Sequence, residues 1–404
     1  MYPKRTDGKR CALACASLLA AIGTLLMFFA PWFYTIVTNF ALSLTSKPTF
    51  NLWQKTPMPL YLEFYMFNWT NPEEVHKRNV KPHFQEIGPF VFRETKEKVN
   101  ITWNQNNTIT FNHLRYWYFE ESKSCCKLST QITTINAIAL IASHMIENWS
   151  YVIRKGFDIS LSALSAKLWK VTTVDEILFS GYEDALINLA RSMPQLQSLS
   201  MPDYDKFGWF YQRNGSYSYD GTFNMEYSGP NFGNTREWQY NDYLSYYDKK
   251  GECNTVRGSA GEFFSPNRQR DEIGFFSPDI CRYVPLTYQD DKDIDGTTGY
   301  KYVMGDSWLD NGTKVPENRC YCGDFCTPYG ALNISACKHN APGFVSQPHF
   351  YDADPYYLDK ISGLNPTKEK HQMFMVIEPE TGIPLHVEAR LQLNLLVKPI
   401  KSIR

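Results

Sequence analysis

The chain has 404 residues and a formal net charge of −1, which gives no electrostatic case for nucleic-acid binding. It carries 26 Tyr, 26 Phe and 10 Trp, an aromatic load that favours strands over helices. Long low-complexity tracts and internal repeats are absent from the sequence.

Residues 1–10 contain Lys4, Arg5, Lys9 and Arg10. Residues 11–33, CALACASLLAAIGTLLMFFAPWF, contain no charge. As a helix they span about 34 Å, enough for a bilayer core. The next basic residue is Lys47, so residues 1–10 are predicted cytoplasmic and residues 34–404 extracellular or luminal. A cleaved signal peptide is the rival reading, but the apolar run exceeds a usual signal core. Cys11 and Cys15, at the cytoplasmic edge, are candidates for palmitoylation and equally for plain helix packing. Sequons at Asn68, Asn100, Asn106, Asn148, Asn214, Asn311 and Asn333 fit an exported, glycosylated domain.

Strand-like runs follow: 60–69, 88–94 after a Gly-Pro turn, and 108–120. From Gln131 to Phe179 the pattern turns helical, and "VDEILFSGYEDALINLAR" continues it with acids early and Arg191 late. Residues of about 130–192 therefore read as a helical insertion in a mainly β domain. "FGWFYQRNGSYSY" (207–219) reads as a hairpin turning at Asn214-Gly215. "LTYQDDKDIDGTTGYKYVM" reads as two strands about an acidic turn. Its "DKDIDG" lacks the glutamate that a calcium loop needs, since that place holds Tyr302. "LQLNLLV" (391–397) puts Leu391, Leu393, Leu395 and Val397 on one face.

Six cysteines remain in the exported part near a cluster: Cys253, Cys281, Cys320, Cys322, Cys326 and Cys337. An oxidising compartment favours disulfides over zinc for them, and six cysteines allow fifteen pairings. Cys125 and Cys126 are adjacent and are left free or available to another chain. No hydrolase nucleophile motif is present: "GSAG" at 258–261 has the wrong spacing, and no H-E-x-x-H occurs. His144 reads as a core or helix-surface histidine. No cofactor, metal or enzymatic step is expected.

The strings "LYLEFYMFNWTNPEEV", "EIGPFVFRE", "RYWYFE", "SPDICR", "CYCGDFCTPYGALNISACK", "SQPHF", "SGLNPTKEKHQMFMVIEPETGIPL" and "ARLQLNLLVKPI" occur in order from residue 60 to the end. Together they resemble the class B scavenger receptors, which include the fatty-acid translocase, the lysosomal integral membrane receptor and insect sensory neuron membrane proteins. The resemblance implies a large luminal antiparallel β-barrel under an apical helical bundle, with an apolar tunnel leading toward the membrane. It implies the pairs Cys253–Cys320, Cys281–Cys337 and Cys322–Cys326. Expected ligands are fatty acids, phospholipids, sterol or carotenoid-type lipids and lipoproteins, with protein or cell-surface ligands as the alternative. The expected location is the plasma membrane, or else a lysosomal or endosomal membrane. Arg154, Lys155, Lys167 and Lys170 are the candidate apical cations for acidic ligands, although they do not reproduce the translocase's lysine pair cleanly. Family members end in a second membrane helix and a short tail, whereas this sequence stops after a barrel-like strand. The expectation is that a form without those parts is retained or functions poorly.

Overall fold

The structure, a computed structural model, describes residues 5–191, 204–247, 251–322 and 326–403. Helix α1 (Arg5–Ala41) runs on past Phe33, where the sequence reading ended it, and carries Pro31 within it. Its stretch Ala12–Ala41 contains an 18-residue window of mean hydropathy 2.3 and is long and apolar enough to cross a membrane. Past Ala41 the chain enters the protein: Leu42 and Leu44 are buried, and the Leu44 N–H donates to the Tyr227 carbonyl at 2.9 Å. Helix α2 (Lys47–Gln54) starts with Pro48 in its first turn, where a missing N–H costs nothing. It buries Trp53 edge-on against Phe111, 4.9 Å between centroids.

Strands β1 (Leu60–Trp69), β2 (Phe84–Trp103) and β3 (Thr108–Phe119) form an antiparallel meander. It extends through β6 (Thr222–Glu226) and β7 (Thr235–Trp238) in the order β1-β2-β3-β6-β7. The β1–β2 register shifts between Phe64 and Met66. Gly88 lies opposite that shift, and a Cβ there would sit 2.8 Å from the Phe64 carbonyl oxygen, so the backbones approach too closely for any side chain. A second antiparallel sheet of five strands runs in the order 384–388, 374–377, 297–304, 282–294 and 272–277. It is built from β8 (Glu272–Ser277), β9 (Arg282–Ile294), β10 (Thr297–Met304), β13 (Phe374–Ile377) and β14 (Pro384–Glu388). β9 and β10 turn at Asp295 and Gly296, both at positive φ, and Asp293 accepts the Gly296 N–H. The acidic run thus makes a hairpin turn.

The segment 258–260 stitches the two sheets together. The Thr235 N–H donates to the Gly258 carbonyl at 2.7 Å, Ser259 N–H to Gly274 at 2.9 Å, and Phe276 N–H to Ser259 at 2.8 Å. Gly258 has φ +88, and a Cβ on it would meet the Gly274 oxygen at 2.8 Å. The result is a ribbon curved into a half-barrel. Among the described residues its end strands, β1 and β14, are not paired with each other. A short sheet of β11 (Leu332–Asn333), β12 (Gly343–Ser346) and β15 (Gln392–Leu395) stands apart.

The helical insertion is framed by strands that the sequence reading missed. β4 (Gln131–Ile135) pairs with β5 (Trp169–Thr173), and α3 (Ala137–Met145) and α4 (Tyr151–Ala163) lie between them. The expected helix from Val174 is broken after one turn at Glu176–Ser180 by Gly181, at φ +71, and resumes as α5 (Ala185–Arg191). The expected hairpin at 207–219 is turns without strands. There Arg213 is buried and holds Asp220 at 2.8 Å and Asp279 at 3.0 Å, and Asn214 accepts the Trp117 N–H. The segment's own backbone N–H groups close turns instead of pairing strands: Tyr211 donates to Gly208, Arg213 to Phe210 and Ser216 to Arg213. In and beside β15 most of the aliphatic row faces outward: Leu391, Leu393 and Val397 are exposed and Leu395 is half-buried, while Gln392 is buried. Gln392 turns inward because it accepts the His349 N–H at 2.8 Å.

Candidate ligand surface

α3 is capped by Asn136, whose side chain accepts the Ala139 N–H, and it is buried along Ala137–Leu140. Its all-round apolarity therefore matches its setting. α4 presents Phe157 and Leu161 inward. Outward, Val152 is 76% and Ile159 61% exposed, two helical turns apart, with the adjoining Tyr151 and, just past the helix end, Leu164 also exposed. A row of large apolar side chains in water marks an interaction surface. Behind the helices lies an aromatic cluster of Phe64, Phe92, Phe119, Phe179, Phe210 and Trp117. Phe92 and Phe179 are 4.7 Å apart by centroid, and Phe64 and Phe210 5.1 Å.

The four candidate cations lie on or beside this insertion, each with a partner. Arg154 donates to the Glu147 carbonyl at 2.8 Å. Lys155 meets Asp158 at 2.6 Å. Lys167 meets Glu73 at 3.3 Å and lies over the Trp169 ring. Lys170 meets Asp184 at 2.9 Å and lies over Tyr182. What the surface offers is apolar area on which Lys155, Lys167 and Lys170 are each paired with an acid. His144 binds the Leu396 carbonyl through Nε2, and burial lowers its pKa.

Two polar clusters escaped the sequence reading. Lys98 on β2 and His113 on β3 are register partners facing the same side of the sheet. Glu262, from the loop after the 258–260 stitch, lies between them, with Lys96 at 2.6 Å, Lys98 at 3.1 Å and His113 at 3.7 Å. Burial first, then the neighbouring Lys96, drives the His113 pKa far down. The second cluster is Glu86, His349 and His371, whose ligating atoms lie within 4.8 Å of one another. Both imidazoles use Nδ1 to accept a backbone N–H, His349 from Asn365 and His371 from Thr367. Neutral rings so bonded carry their proton on Nε2, which removes the lone pair that a metal would take there. This trio does not fit a metal. The only sequence signals were the "KEKVN" alternation and the histidines of "SQPHF" and "EKHQMF".

A groove of about 660 Å³ opens where α1 meets the sheets, between Asn39, Phe40, Gly229, Pro230 and Arg268. A smaller one of about 280 Å³ is lined by Lys301, Lys368, Phe374 and Arg390.

Cys253 is bonded to Cys320, Cys281 to Cys337 and Cys322 to Cys326, with Cα separations of 6.2, 6.3 and 4.5 Å. Cys15, Cys125 and Cys126 are free. The side chain of Cys11 lies outside the described residues. Of the sequon asparagines, Asn100, Asn106, Asn148 and Asn214 are exposed, and Asn68 and Asn333 are half-buried. Asn311 is buried, with its amide nitrogen donating to the Thr327 carbonyl.

Residues 14–404 match the CD36 family. The chain is 38% identical over 372 residues to Protein peste of Drosophila melanogaster, covering 90% of this chain and 65% of that protein. It is 35% identical to Scavenger receptor class B member 1 of Bos taurus, covering 88% of this chain and 69% of that one. It is also 35% identical to Lysosome membrane protein 2 of Homo sapiens, covering 87% and 72%. The chain thus spans about two thirds of the length of these relatives. A family match over residues 14–404, together with these relatives, places this chain in the CD36 family.

Proposed function

We propose that this chain is a membrane-tethered receptor, without an enzymatic step, that takes lipids or lipoprotein particles on the outer face of its helical insertion. In this reading the half-barrel belongs to a closed barrel, the insertion is its apical bundle, and an apolar tunnel leads lipid toward the membrane. The ligands are fatty acids, phospholipids, sterol or carotenoid-type lipids, or the particles that carry them. The working location is the plasma membrane; the relative named Lysosome membrane protein 2 motivates a lysosomal or endosomal alternative.

The observation that carries the reading is the exposed row Tyr151, Val152 and Ile159, on an insertion whose inner side packs on the aromatic cluster. Apolar entry and apolar interior are then neighbours. Burying a sixteen-carbon chain yields on the order of 10 kcal/mol at about 0.8 kcal/mol per CH2. Lost ligand freedom offsets a large part of that, which leaves binding reversible enough for transfer. The same exposed row favours the second reading, a receptor for a protein or cell-surface ligand.

The test is capture of lipoprotein particles and of a polypeptide ligand library by cells expressing Val152→Asp with Ile159→Asp. Loss of lipid capture by about tenfold or more at normal surface level supports the proposal. Unchanged capture removes it, and loss of polypeptide binding alone selects the second reading.

A further inference from the structure

His349 and His371 lie face to face, with ring centroids 4.4 Å apart and planes 24° from parallel. Both are buried. His349 sits in the turn Pro348–Phe350, and His371 closes the short helix α7 (Lys368–His371) that follows α6 (Tyr356–Lys360). The two backbone donors they accept, Asn365 N–H at 2.9 Å and Thr367 N–H at 2.8 Å, lie on one segment, 362–367, between those helices. The other end of that segment is zipped to the start of β2. The Phe84 N–H donates to the Ser362 carbonyl at 3.0 Å, and Ser362 N–H to Pro82 at 2.9 Å.

A backbone N–H at these positions can only donate. Each Nδ1 must therefore keep its lone pair, and each ring holds its single proton on Nε2. His349 uses that proton toward Glu86 at 2.5 Å. A second proton has only Nδ1 to go to. There it turns an acceptor into a donor facing a donor, and both bonds to the segment are lost. Two imidazoliums would also be stacked at 4.4 Å. The charges around them do little to help. Glu86, from β2, favours protonation, whereas Arg390 and Lys370 oppose it. The Tyr65 phenol, near Glu86 and Arg390, has its pKa raised to about 12 by burial first and Glu63 next, so it stays neutral.

We infer that the His349–His371 pair is an acid-released catch that holds segment 362–367 in place while both rings are neutral and lets it go when they charge. Burial, and then the charge of His349, lowers the His371 pKa below its ordinary value of 6.5. The open form therefore binds the proton more tightly. The catch is at full strength above the ordinary imidazole range and weakens as pH falls through it. Such a device would report entry into an acidified compartment, and it does not depend on which ligand the receptor carries.

The test is hydrogen exchange read by mass spectrometry on the full chain in nanodiscs, at about pH 7.4 and about pH 5, with exchange times scaled for intrinsic rates. The peptide spanning 362–371 should lose protection by about tenfold or more at the lower pH, while one from β3 stays unchanged. The double variant His349→Gln with His371→Gln should lose the pH difference. If that variant fails to fold, Glu86→Gln serves instead: it removes the acid that favours charging and should move release to lower pH. Equal protection of 362–371 at both values overturns the inference. So does a parallel loss across the whole ectodomain, or a pH response that survives in the double variant.

Discussion

Lys98 is fully buried and lies 3.1 Å from Glu262, which Lys96 approaches at 2.6 Å from the same strand. One carboxylate thus serves two ammoniums inside the half-barrel. Removing it leaves buried cations without a counter-charge, and breaking a buried pair in this way costs about 3–5 kcal/mol. Glu262→Gln should therefore lower ectodomain stability by that amount. Lys98→Met should be close to neutral, because it removes a charge whose burial is only partly compensated. Chemical unfolding of both variants checks the contrast; equal losses would sink it.

The same cluster sets an acid limit. Burial raises the Glu262 pKa, but Lys96 and Lys98 more than offset it and hold the group well below its ordinary 4.5. The unfolded chain then takes up the proton first. The contribution of Glu262 is complete above about 4.5 and is lost as pH falls from there toward its folded pKa. Lys98 runs the other way in pH: burial, opposed by Glu262, brings its pKa down to about 8. Stability should rise as pH passes from about 8 toward about 10.4, where the unfolded lysine deprotonates. A stability–pH curve that is flat below pH 4.5 in the wild type, or unchanged by Glu262→Gln, would contradict this assignment.

Cys281 lies in the core cluster with Phe111 and Phe223 and is bonded to Cys337. Cys125 is exposed and free. Cys281→Ser should cost about 2–5 kcal/mol and reduce export, while Cys125→Ser should leave export unchanged. Peptide mapping without reduction should recover the three bonded pairs; stoichiometric zinc with free thiols would refute them.

The sequons divide by exposure. Asn100, Asn106, Asn148 and Asn214 face water, and replacing each by Gln should remove one mobility step. Asn311 uses its amide nitrogen in a bond to the Thr327 carbonyl and is buried. Asn311→Gln should remove no step. A glycan recovered at Asn311 would show that the 310–327 loop takes another arrangement.

Charge reversal at Lys167 and Lys170 should not give equal effects. Lys170 is held by Asp184 at the foot of α5, so Lys170→Glu places two acids together and should loosen the insertion. Lys167 is exposed and, among the described residues, meets the exposed carboxylate of Glu73. Lys167→Glu should weaken capture of anionic particles alone, by a margin that shrinks at high salt. Equal loss for neutral and anionic particles, with normal folding, would take selectivity away from this residue.

Strands were legible where alternation and aromatic density acted together, as in Leu60–Trp69 and Thr108–Phe119. β4 and β5 were not, because Gln131–Ile135 and Trp169–Thr173 are short and each abuts a helical run. Periodicity cannot separate five residues from the helix beside them. Leu391, Leu393 and Val397 were readable as one row but not as the exposed one: alternation fixes that two faces exist, and the partner of Gln392 decides which is buried. The Glu262 and His349 clusters depend on loops folding back across long sequence distances, which no local pattern encodes. The apolar row of α4 was readable as hydrophobic but not as exposed.

α1 has no slack joint at its outer end. The Ala41 carbonyl accepts the Thr49 hydroxyl at 2.5 Å, the Leu44 N–H is bonded to Tyr227, and Tyr34, further down the helix, reaches Glu380 at 3.0 Å. These three ties make the helix a mast stepped into the hull of the half-barrel. Before Tyr34 the uncharged run 12–33 is about 33 Å long as a helix, close to a hydrocarbon core of about 30 Å, and such a helix adjusts to bilayer thickness by leaning. With the joint locked, that lean is handed to everything mounted above it. A change of bilayer thickness is therefore expected to move the half-barrel together with the helix, not to flex the joint between them.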